Sequence, residues 1–193
     1  MKPILFNTAM VRAILAGEKT CTRRIVKFPR DIMKKSFKEV IDYIKPPYKV
    51  GDILYVRETW NINPSWEFDK NYINLPSKES KYIYKATNDF NGGWKPSIHM
   101  PKEAARIFLK VTSVRAERLK DITDEGCYQE GISGTSFYDE AEHIQIAGIG
   151  LNDSLERTAF SLLWNSTVRE EKYSWEGNPW VWVIGFKRIE IVK

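Results

Sequence analysis

The sequence predicts an α+β fold, mainly β: a small, strongly bent barrel with two or three helices packed outside it. Three observations carry this. Ile53 to Trp60 alternates as a strand does, with Leu54, Val56, Glu58 and Trp60 on one face. Arg106 to Leu119 is a long strand whose apolar phase slips: Ile107, Leu109 and Val111 share one face, then Val114 and Ala116 the other. A one-residue slip inverts the faces, so a bulge near Thr112-Ser113 is the economical reading, and bent strands suit a small closed barrel. Trp180 to Val192 begins apolar on both faces, as a buried interior strand does.

The other elements follow in chain order. Ile4-Leu5-Phe6 reads as a short buried strand. Thr8 is the expected N-cap of a helix carrying Met10, Val11, Ile14 and Leu15, and Gly17 suits its C-terminal stop. Lys81 to Ala86 is strand-like, and residues 91–101 form a loop punctuated by glycine and proline. Thr123 caps a short helix ending at Gly131. Asp153 with Glu156 reads as a capping box for a helix carrying Leu155, Ala159, Leu162 and Leu163. Insertions are expected near 28–47, 61–80 and 133–150. The first carries a short helix at Phe37–Ile44, and the last reads as a glycine-rich loop. One domain over 1–193 is expected, without internal repeats.

Composition narrows the class. With 42% hydrophobic and 28% charged residues, the chain has material for a core and a polar surface. No apolar run approaches the roughly 20 residues of a membrane helix, so no membrane association is expected. Two cysteines, Cys21 and Cys127, are too few for a disulfide framework or a multi-cysteine zinc site, and a reducing cytoplasm is the simplest setting. Two histidines, His99 and His143, add no metal site, and no cofactor is expected. A net charge of +5 leans toward anionic partners without defining one.

The densest chemistry lies in Gly17-Glu18-Lys19-Thr20-Cys21-Thr22-Arg23-Arg24. So much positive charge in eight residues calls for an anionic ligand, a buried carboxylate, or both. Gly17-x-Lys19 followed by Arg24 resembles the G-x-K-x-x-x-x-R signature of ASCH domains. The strand from Gly51 to Trp60, the Trp94–Pro101 loop and the closing Asn178–Ile184 strand resemble the larger ASCH proteins of phages and prophages. The resemblance covers most of the chain outside the three insertions. It implies a PUA-like barrel that binds RNA, a nucleoside or a nucleotide in a cleft lined by the signature residues. One branch of the family, the small bacterial N4-acetylcytidine amidohydrolases, uses a lysine, a threonine three residues later and a glutamate on a following helix. Lys19, Thr22 and Glu130 match these positions. The larger size, the inserts and Gly126 in the short helix depart from that branch.

Each candidate has a structural alternative. A threonine hydroxyl needs a base, and a lysine with its ordinary pKa of about 10.4 must be neutral to act as one. A charged Lys19 stabilising an oxyanion, with Glu130 handling the proton, is equally consistent, as is a plain Lys19–Glu130 ion pair beside a turn threonine. On a regular strand residues three apart point to opposite faces, so Lys19 and Thr22 meet only if Thr20-Cys21 form a turn or bulge. Cys21 reads as packing. Arg23 and Arg24 fit a phosphate, a carboxylate or a solvated edge. Glu58, on an apolar face with Trp60, must be paired or bind a ligand. Trp94, Lys95 and His99 could stack a base and touch a phosphate, or Trp94 could simply cover the barrel. Three functions follow: a binder of RNA, nucleoside or nucleotide through Gly17, Arg23, Arg24, Glu58, Trp60, Trp94, Lys95 and His99; an amidohydrolase on an acylated cytidine; or a protein-interaction adaptor with a vestigial cleft.

Overall fold

A computed structural model describes residues 1–28, 44–64, 66, 81–147 and 153–191. The strands are β1 (Lys2–Leu5), β2 (Cys21–Ile25), β3 (Ile53–Arg57), β4 (Trp60–Ile62), β5 (Tyr82–Tyr84), β6 (Phe108–Arg118) and β7 (Trp180–Ile189). The helices are α1 (Thr8–Ala16), α2 (Asp124–Gln129), α3 (Ser136–Ile146) and α4 (Leu155–Thr167). The fold is α+β, mainly β. Five strands form one sheet in the order β1-β3-β6-β7-β2, and β4 pairs with β5 in a separate two-stranded sheet. β1 runs parallel to β3, and the other ladders are antiparallel.

The sheet is not closed into a barrel, which corrects the expectation. Its edges are β1 and β2, and among the described residues no ladder joins them. A side chain spans the gap instead: Arg24 of β2 donates from Nη2 to the Leu5 carbonyl of β1 at 3.1 Å. Phe6, just ahead of α1, and Met10 within it line the cavity beside β2.

The bulge in β6 lies where the phase slip put it. Val111 pairs with Phe186 and Ser113 with Gly185, so Thr112 is the extra residue. β7 is an interior strand with Val181 to Ile184 buried, and it ends at Ile189 rather than Val192. The expected Ile53–Trp60 strand is two elements. β3 stops at Arg57, and Trp60 pairs with Tyr84 in the smaller sheet. Glu58 separates them, its amide bonded to Met100 Sδ and its carboxylate to Arg106.

Caps were read one residue off in two helices. Asn7, not Thr8, caps α1 by accepting from the Met10 amide at 2.9 Å. Ser154, not Asp153, caps α4 by accepting from the Arg157 amide. Asp153 binds the Arg157 side chain instead, at 2.7 Å. Thr123 caps α2 as expected. The 133–150 region is not a loop throughout: it contains α3, which fully buries only Ala141 and packs on α4. The expected Phe37–Ile44 helix lies, but for Ile44, outside the described residues.

The main core joins the five-stranded sheet to α1, α2 and α4. Leu54, Leu109, Leu119 and Ile184 within it have no exposure, and burying each such side chain contributes about 1.5–3 kcal/mol. A second cluster of Trp60, Met100, Ala104, Ala105 and Phe108 lies under the smaller sheet. Among the described residues no helix is long and apolar enough to cross a membrane.

Candidate functional site

The basic motif becomes a site because β2 starts late. Its ladder with β7 begins at Cys21, so Lys19 precedes the strand and escapes its alternation. The Lys19 amide reaches back to the Ala13 carbonyl at 3.1 Å, and the Thr20 amide bonds to the Gln129 carbonyl at 2.9 Å. These two bonds pin the turn against α1 and α2. Lys19 and Thr22 therefore line one cavity although they are three residues apart. Glu130, the C-cap residue of α2, enters from the other side.

The cavity measures about 110 Å³. It is smaller than the apolar cavity of about 150 Å³ that holds a benzene ring, so it takes at most a single ring. Phe6 and Met10, together with Phe160, Leu163 and Trp164 of α4, supply its apolar lining. Lys19, Thr22, Arg23, Arg24 and Glu130 supply the polar groups.

Those polar groups form a graded network. Lys19 Nζ donates to Glu130 Oε2 and to the Glu130 backbone carbonyl, both at 2.7 Å. Arg23 Nη1 donates to Glu130 Oε1 at 3.1 Å, and its Nη2 to Glu117 Oε1 at 2.7 Å. Glu117 also receives Arg115 at 3.0 Å. Both Glu130 oxygens are thus committed, and the Lys19 and Arg23 charges are neutralised in place, as buried charges must be.

Arg24 is different. It donates to Thr22 Oγ1 at 2.8 Å, to the Arg23 carbonyl at 3.1 Å and to the Leu5 carbonyl, and lies 5.4 Å from the Phe6 ring centre. Among the described residues it has no carboxylate partner. Burial pulls its pKa down, against the attraction of Glu130. Burial also holds the Lys19 ammonium below the ordinary lysine range, with Glu130 resisting. The Cys21 thiol is pushed up to about 12 by burial, and further by Glu130 against Arg23 and Lys19. It stays protonated and is no nucleophile.

The remaining candidates lie elsewhere. Gly17 closes α1 at φ 83°, two residues before Lys19, and does not line the cavity. Glu58 is 1% exposed and gripped by Arg106 through two bonds of 2.9 Å. It clamps the two sheets together, outside the cavity. Trp60 is buried in the second cluster. Trp94 meets Phe90 edge to face at 5.6 Å, Lys95 sits over the Trp60 ring at 5.1 Å, and His99 is exposed in a single 3₁₀ turn. None of these lines the cavity. Sequence reasoning missed Glu117 and the α4 wall of Phe160, Leu163 and Trp164. Glu117 had a signal, since two adjacent arginines beside one glutamate leave a buried charge to be matched. Among the described residues no group of three or more His, Cys, Asp or Glu side chains could hold a metal ion.

No family model and no curated protein matches this sequence. Two solved structures are similar. One is an ASCH domain from Lactobacillus crispatus JV V101, at 13% identity and TM-score 0.35, covering 94% of this chain and 70% of that one. The other is protein EF3133 from Enterococcus faecalis V583, of the DUF984 family, at 10% identity and TM-score 0.39, covering 100% and 84%.

Proposed function

We propose that the cavity binds a single-ring nucleobase presented by a nucleoside, a nucleotide or an RNA strand. The observation that carries this is Arg24: a guanidinium lining a small, partly apolar cavity and, among the described residues, forming no ion pair. A cation beside a cavity, with no ion-pair partner among the described residues and only the more distant charge of Glu130 to offset it, favours a ligand that brings carbonyl or phosphate oxygen. Phe6, Phe160 and Trp164 supply aromatic lining for a base, and the sugar and phosphate would remain at the mouth. Titration calorimetry with cytidine, uridine, their monophosphates and adenosine monophosphate tests the reading. Pyrimidine ligands should bind better than purine, and Arg24→Ala should weaken them at least about tenfold, the loss of one charge-assisted hydrogen bond. Absence of binding to all of them sinks it.

A second reading, amide hydrolysis on an acylated cytidine, has one specific support. Lys19 Nζ donates two hydrogen bonds, both to Glu130. A charged ammonium can make these two bonds with a third N–H to spare, and a neutral amine can make them with its two N–H groups. In the neutral form, which burial favours, the lone pair is the base this reading needs for the Thr22 proton. Thr22 Oγ would attack the amide carbonyl, the proton would pass through Lys19 to the leaving amine, and water would release the acyl group. Against this, the Thr22 hydroxyl is bonded to Arg24 rather than to Lys19. Release of cytidine from N4-acetylcytidine, abolished in Thr22→Ala and partly kept in Thr22→Ser, is the expected result if this reading holds.

A further inference from the structure

The register of β6 and β7 places Lys110 directly opposite Lys187. Both are exposed, and neither forms an ion pair among the described residues. Like charges directly opposite on a sheet face repel and destabilise the pair. Two lysines at these positions therefore act against the stability of the longest ladder in the sheet, and a ligand charge would relieve the cost.

The surroundings say what kind of ligand. Beyond Lys110 on β6 follow Thr112 and Ser113 of the bulge and then Arg115, all exposed. The Arg115 side chain is 58% exposed and also pairs with Glu117 at 3.0 Å, a surface contact that a phosphate can share. Hydroxyls interleaved with lysine and arginine are the groups that hold phosphates. The stripe also leads to the cavity. Phe186, the neighbour of Lys187, bonds its amide to the Thr20 carbonyl at 2.8 Å, and Thr20 follows Lys19 of the cavity. Strands lie about 4.8 Å apart, so the cavity turn, Lys187 and Lys110 occupy three successive strand positions.

We infer that the Lys187–Lys110–Arg115 stripe carries the phosphate backbone of a single-stranded nucleic acid whose base enters the cavity. This rests on the nucleobase reading above for the direction of the strand, but not for the existence of the stripe. It makes the preferred ligand a strand rather than a free nucleoside.

The test uses Lys110→Glu and Lys187→Glu, each of which replaces a like-charge pair with an opposite-charge one. Both variants should melt at a higher temperature than wild type. Both should bind a short pyrimidine-rich RNA more weakly, with the slope of log affinity against log salt shallower by at least about 0.7, the value for one neutralised phosphate on a single strand. Pyrimidine monophosphate, which reaches only the cavity, should lose less than the RNA. RNA affinity and salt slope unchanged in both variants would overturn the inference, as would wild type that fails to bind RNA at low salt. Equal affinity for poly-glutamate would overturn the assignment to nucleic acid. If RNA binding depends on the two lysines but no mononucleotide binds, the stripe stands and the nucleobase reading falls.

Discussion

Lys19 is where burial and pairing compete. Its side chain is 1% exposed and holds Glu130 at 2.7 Å. Burial disfavours its charge more than Glu130 favours it, so its folded pKa lies below the ordinary lysine value. The unfolded chain then binds more protons than the folded one between that folded pKa and about 10.4, and stability rises with pH across this window. Replacing Lys19 by Met breaks a buried pair and should cost about 3–5 kcal/mol near neutral pH. Urea melts from pH 7 to above 10 should show the wild-type advantage over Lys19→Met growing as pH rises. An advantage that shrinks instead would mean that the ion pair outweighs desolvation. Lys19, Thr22 and Glu130 were legible through their match to a known signature. Their shared cavity was legible only conditionally, because it needed the ladder to begin after Thr20.

At the scale of elements, legibility followed how much a segment buries. The β6 bulge could be read because its neighbours are deeply buried, so a slip in apolar phase left a visible mark. Helix α3 could not, since it fully buries only Ala141 and its sequence is flanked by glycines. The α4 wall was read as a helix but not as part of a site. Phe160 and Trp164 serve core and cavity at once, and no pattern separates the two uses. The turn after α2 shows how closely two elements are coupled. Gly131 adopts φ 80°, and a Cβ there would lie 2.7 Å from Ala13 Cβ and 2.9 Å from Lys19 Cβ. Left-handed backbone costs other residues about 1–2 kcal/mol, and the contacts add to it. Gly131→Ala should therefore lower the melting temperature by several degrees, about 2–4 °C per kcal/mol in a chain of this size. Because the displaced atoms include Lys19, ligand affinity should fall with it. A variant that melts lower but binds as wild type does would separate the turn from the cavity.

For the whole molecule, the sequence pattern gave a bent, mainly β fold but not its openness. Closure depends on whether β1 and β2 meet, and neither strand's composition says so. Among the described residues one guanidinium bridges them, Arg24 to the Leu5 carbonyl, and the same side chain lines the cavity. Arg24 thus serves the sheet edge and the cavity together, so Arg24→Ala should lower stability as well as affinity, whereas Thr22→Ala should leave the bond to Leu5 and most of the stability intact.

The pairing of β2 with β7 also sets an order of events during synthesis. The motif at 17–24 is made roughly 160 residues before its ladder partner β7 (Trp180–Ile189). At about 5–20 residues per second, the motif waits from several seconds to half a minute for its neighbour. In that interval the three clustered cations lack the ladder that β2 makes with β7 in the folded protein, and the cavity is expected to be unformed. A chain terminated after residue 179 keeps every side chain that lines the cavity, yet it should bind no nucleotide. Restoring the last strand as a separate peptide should return part of the binding. If the shortened chain binds as the full one does, the site is a property of its own residues and not of the strand that pairs with β2.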